Sequence, residues 1–86
     1  MPRISEFFGI FIYMYFEDHS LPHFYAIYGN HEALISINEL KIIKGRLPPR
    51  AYGLVVEWAM QHQNELQENW HSALLHKPLN KIKPLE

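Results

Sequence analysis

The chain has 86 residues, no cysteine and a formal net charge of −1 with its six histidines neutral. That length allows one domain, residues 1–86, which buries only about 60–65% of the surface its unfolded form exposes, and neither disulfides nor a thiolate metal site can supplement the core. With 48% hydrophobic and 14% aromatic residues the composition excludes disorder, and the lack of a basic excess makes RNA a disfavoured partner.

Met1-Pro2-Arg3-Ile4-Ser5-Glu6 lacks the cationic region, apolar run and cleavage site of a secretory signal. The longest apolar stretch, Phe7 to Phe16, is too short to span a membrane. The expected location is cytoplasmic, with no membrane partner.

Strands are expected over 7–17, 22–29 and 32–38, with a short fourth over 40–44, because these segments are rich in β-branched and aromatic residues and are separated by polar or Gly-containing links. Period-two alternation puts Ile10, Ile12, Met14, Phe16, Phe24, Ala26, Tyr28, Ala33, Ile35 and Ile37 on one face. Phe11, Tyr13, Tyr15, His23, Tyr25, Ile27 and Leu34 fall on the other. After Leu47-Pro48-Pro49 the period changes. Pro49 suits the first helical position, where no amide donor is needed. Leu54, Val55, Trp58, Ala59, Leu66, Trp70 and Ala73 then recur at helical spacing as far as Leu75. One helix over 49–75 is predicted, stopped before Lys77-Pro78. The tail, 77–86, is too proline-rich for a helix, and Leu79, Ile82 and Leu85 are its candidate anchors. The expected fold is α+β: an antiparallel three- to four-stranded meander packed on one face by a single long C-terminal helix.

The chemically suggestive group is the link between the first two strands, where Glu17 and Asp18 precede His19 and His23. Imidazole titrates near neutrality and ligates metals, so the pair reads as acid–base groups, as metal ligands, or as structural residues with His19 capping the turn and His23 bonded to a backbone carbonyl. Arg46 and Arg50 stand near the expected helix N-terminus, which favours anions. A ribonuclease reading makes His19 and His23 the catalytic acid and base, with Arg50 or Arg46 on phosphate. His62 lies on the apolar stripe one turn after Trp58 and either is satisfied by a backbone or tyrosine partner or meets the hairpin histidines, with Asn69 and Glu65 on the same side of the wheel as candidate polar partners. A single helix covers only one sheet face. The other, with Tyr13, Tyr15, Tyr25 and Ile27, is therefore the predicted binding interface.

Gly9-Ile10-x-Ile12, Met14-Tyr15-Phe16, Asp18-His19, Pro22-His23-Phe24, Tyr28-Gly29, Leu47-Pro48, Glu57-Trp58-Ala59, Leu66, Asn69-Trp70 and Ile82-x-Pro84-Leu85 closely resemble domain-of-unknown-function family 4160. The resemblance implies a small prokaryotic protein encoded beside a member of a second family, numbered 2442, in a toxin–antitoxin-like pair. Two positions depart from the family's hairpin, His-x-Pro-Pro-His-Phe-His: Leu21 replaces a proline and Tyr25 the third histidine. If the three histidines hold a metal in the family, this chain has lost one nitrogen ligand, so no metal site and no cofactor are assigned. Three readings follow: an interaction protein of a toxin–antitoxin-like pair, working as a homodimer or with the product of an adjacent gene; a histidine-based ribonuclease; and a metal-binding domain. The near-zero net charge and Tyr25 favour the first, and whether the chain is an enzyme is left open.

Overall fold

A computed structural model describes residues 2–15 and 21–86. Five strands come first: β1 (Arg3–Phe7), β2 (Ile10–Tyr13), β3 (His23–Tyr28), β4 (His31–Ser36) and β5 (Ile42–Gly45). Two helices follow, α1 (Pro49–Gln61) and α2 (Gln63–Leu74). The strands form one antiparallel sheet in sequential order, β1-β2-β3-β4-β5. The class is α+β as expected, but the element count is not: the described residues form five strands and two helices in place of three or four strands and one helix.

The segment read as one strand over 7–17 contains a hairpin. Phe8 and Gly9 both have positive φ, 51° and 79°, the two-residue geometry whose twist matches that of paired strands. β1 enters the sheet ahead of that turn, and a bulge between Arg3 and Ser5 lets both Ile4 and Ser5 be buried. A second bulge, between Leu34 and Ile35 opposite β5, leaves Ile43 as the extra, exposed residue. Gly45, at φ 83°, is required there. A Cβ at that position would stand 2.1 Å from the carbonyl oxygen of Glu32.

Pro49 occupies the first turn of α1, as anticipated. The single helix is interrupted at His62, whose φ of −130° lies outside the helical range and whose N–H turns to the carbonyl of Ala59 at 3.1 Å. The apolar stripe passes through this break without changing phase. Ala51, Val55, Trp58 and Ala59 are buried before it, and Leu66, Asn69, Trp70 and Ala73 after it. Beneath the helices Ile10, Ile12, Met14, Phe24, Ala26, Ala33, Ile35 and Ile37 are closed to solvent, as alternation predicted. Tyr28, assigned to the same face, sits at its margin and is 39% exposed. Phe16 lies outside the described residues.

Trp58 ties three layers together. Its ring stands 5.3 Å from Phe7 of β1 and 5.9 Å from Phe24 of β3, while Nε1–H donates to the carbonyl of Lys83 at 2.9 Å. The tail is thereby held as a strap. Ile82 N–H donates to Ile4 O at 2.8 Å, Ser5 Oγ–H to Ile82 O at 3.0 Å, and the Asn69 amide exchanges two bonds with the backbone of Asn80. Ile82 and Leu85 are buried, as the anchor reading required. On the opposite side Tyr52 donates to Leu40 O at 2.6 Å and Gln63 to Ile37 O at 2.8 Å, fixing the turn between β4 and β5 to the helices.

Trp58→Ala is expected to cost about 3–5 kcal/mol, a large share of the ~5–15 kcal/mol available to a small domain; a urea midpoint near wild type would contradict the packing described. Gly45→Ala, which drives a methyl into a backbone carbonyl at positive φ, should also lower the midpoint, and an unchanged one would show that β5 can shift freely.

Candidate functional site

The surface opposite the helices is built by alternation. Strand pairing aligns Arg3, Tyr13, Tyr25, Leu34 and Lys44 in one row across the sheet, and Glu6, Phe11, Ile27 and Glu32 in the next. Tyr15, just past β2, stacks on Tyr25 with ring centroids 4.9 Å apart and planes 5° from parallel. Phe11, Tyr13, Tyr15, Tyr25, Ile27 and Leu34 are each half-buried. At the β1 rim the Arg3 guanidinium lies 5.5 Å from the centre of the Phe11 ring and 3.3 Å from the Glu6 carboxylate. At the other rim Tyr15, Tyr25, Leu34, Glu32 and Lys44 line a shallow groove of about 390 Å³. All four residues named for the interface, Tyr13, Tyr15, Tyr25 and Ile27, thus lie together. Phe11 and Leu34 extend the patch. Arg3, Glu6 and Glu32 were not singled out from the sequence, although Glu32 shares Leu34's parity and was legible.

His23 departs from its expected place on this outer face. It is 1% exposed, its Nδ1–H donates to the carbonyl of Leu21 at 2.7 Å, and its ring packs 4.8 Å from Trp70 and edge-on to Tyr25 at 5.6 Å. The carbonyl bond is the structural alternative set out above for this residue. His19, Glu17 and Asp18 lie outside the described residues.

Arg46 and Arg50 are exposed at the end of the sheet where β3 passes into β4. Arg46 N–H donates to Glu32 O at 3.1 Å, and Arg50 borders a 440 Å³ concavity with Phe8, Ile10, Tyr28, Pro48, Ala51 and Leu54. His23 begins β3 and Tyr28 ends it, so His23 and Arg50 are separated by about 17 Å of strand. They are not brought together. His62 likewise stays apart from His23. It bonds the Glu65 carboxylate through Nδ1 at 2.6 Å and packs on Trp58 at 5.7 Å, about 12 Å of helix from Trp70, where His23 packs. Among the described residues no three His, Asp or Glu side chains converge as a metal-ligand set, and no described helix is long and apolar enough to cross a membrane.

The family model DUF4160, a domain of unknown function, matches residues 9–71, well over half of the chain. The chain belongs to this family. The matched segment runs from the β1–β2 turn to the last turns of α2. It takes in the tyrosine patch and stops short of Ile82-x-Pro84-Leu85, which the sequence resemblance had included. The parts left outside, β1 and the tail, bond to each other through Ile4 and Ile82. No curated protein and no solved structure matches the chain.

The packing of His23 makes it a stability residue. His23→Ala, which removes both the ring contact with Trp70 and the bond to Leu21, is expected to cost about 2–4 kcal/mol in denaturant unfolding. A cost below about 0.5 kcal/mol, the range of ordinary surface substitutions, would contradict its burial.

Proposed function

We propose that the domain is an interaction module, one component of a toxin–antitoxin-like pair, and that it works through the outer face of its sheet. The observation that carries this reading is the contiguous surface of Phe11, Tyr13, Tyr15, Tyr25, Ile27 and Leu34, half-buried, aligned by strand register and lying on the side of the sheet opposite the described helices. Apolar area left wet forfeits about 25 cal/mol per Å², which amounts to several kcal/mol over a patch of a few hundred Å². Tyrosine suits a surface that is alternately free and covered, since the ring supplies area and the hydroxyl remains hydrated in the free state. A rim of both charge signs around an aromatic centre is the usual anatomy of a protein–protein interface.

The family's pairing with a second small gene product, implied by the sequence resemblance, supplies the candidate partner class. Acid–base catalysis gains no support from His23, whose ring is enclosed by Trp70 and Tyr25. The tail reaches the margin of the patch at Tyr15, which lines one concavity with Lys77 and Leu79. Its described bonds go to β1, α1 and α2 on the helix side.

Co-expression with the adjacent gene product tests the reading. Affinity capture of the wild type is expected to retain that product, and Tyr13→Lys or Tyr25→Lys to lose it while the melting temperature stays within a few degrees. Growth inhibition by one gene alone, relieved by the other, would support the pairing. Capture unaffected by either lysine substitution would overturn the assignment of this face.

A further inference from the structure

We infer that the outer face also takes a second copy of this chain, stacked sheet on sheet about a two-fold axis perpendicular to the strands, so that β1 lies over β1. This deepens the reading of the face as an interaction surface and rests on it. Association by the sheet edges is disfavoured. The β1 edge is occupied by the tail through Ile82, and β5 is a four-residue, bulged strand carrying Lys44, both common ways of blunting an edge. The face remains.

Its charges choose the axis. The row through Tyr13 and Tyr25 ends in a cation at each rim, Arg3 and Lys44, while the row through Phe11 and Ile27 carries an anion towards each rim, Glu6 and Glu32. Aligned sheets pack within about 30° of one another, which leaves two isologous arrangements. An axis parallel to the strands lays each row on itself and sets Arg3 against the second copy's Lys44. An axis perpendicular to the strands, passing between the two rows, lays each row on the other. Arg3 then meets the second copy's Glu6 twice over, and Glu32 comes diagonally near the second copy's Lys44. Only this arrangement is self-complementary on the two rows. Arg46 lies past the left-handed Gly45, where strand alternation ends. The sheet offers a footprint of about 400 Å², roughly half the area per partner in a standard interface, so the dimer is a weak one that a better partner can displace.

Sedimentation of Arg3→Glu, Glu6→Lys and their equimolar mixture tests this. Both side chains are half exposed, at 44% and 49%, so loss of their mutual ion pair changes folding little, which a thermal melt of each variant checks. The wild type is expected to dimerise in the micromolar range, each variant alone to do so about tenfold more weakly, and the mixture to recover wild-type affinity, because one variant then presents only anions and the other only cations at this rim. A wild type that remains monomeric at millimolar concentration, an Arg3→Glu variant that associates more tightly, or a mixture no tighter than its parts would each overturn the inference. If the wild type is monomeric yet Tyr25→Lys still loses the co-expressed partner, the second-copy proposal fails and the interaction function stands.

Discussion

The burial of Trp58 is the contact on which the rest of the molecule depends. Its ring touches β1 and β3 through Phe7 and Phe24, and its N–H holds the strap at Lys83. Helix, sheet and tail therefore share one side chain. That geometry draws both helices and the tail to the same side of the sheet. Every later feature follows from this one-sidedness, since both described helices lie on one side of the sheet and neither covers the opposite face.

An antiparallel sheet normally resolves that situation by alternating apolar and polar residues. Here β2 and β3 do not. Beside their buried positions stand Phe11, Tyr13, Tyr25 and Ile27, half-buried and drawn together by the register of the two strands. The Tyr15–Tyr25 stack and the guanidinium over Phe11 reduce the wet apolar area without removing it. A surface of this kind is soluble enough to exist alone and gains free energy when covered, which is the behaviour expected of an interaction module. The histidines, by contrast, are divided among separate environments. His23 is locked against Trp70, and His62 is paired with Glu65 beside Trp58.

Much of this architecture could be read from the residues, and the exceptions have physical causes. Alternation in β2, β3 and β4 identified both faces because each of these strands is paired on both sides. The hairpin at Phe8-Gly9 was missed because a phenylalanine at positive φ leaves no compositional mark; Gly9 alone hinted at it. The helix break at His62 was invisible for a different reason: neither proline nor glycine marks it, and the apolar stripe from Ala51 to Ala73 keeps its phase across the bend. Parity puts His23 on the outer face, and its packing against Trp70, far along the chain, could not be read from the strand alone. The rim cations and anions went unread where β1 was not recognised as a strand.

On the reading proposed above, the protein associates through the outer face of its sheet and not through the helix side. Amide chemical shifts followed on dilution from high concentration test it most directly. Concentration-dependent shifts are expected at Tyr13, Tyr25 and Ile27, with the amides of Val55, Leu66 and Ala73 unmoved. Shifts confined to the concavity around Phe8 and Leu54, or none at all in the absence or presence of the co-expressed partner, would contradict it.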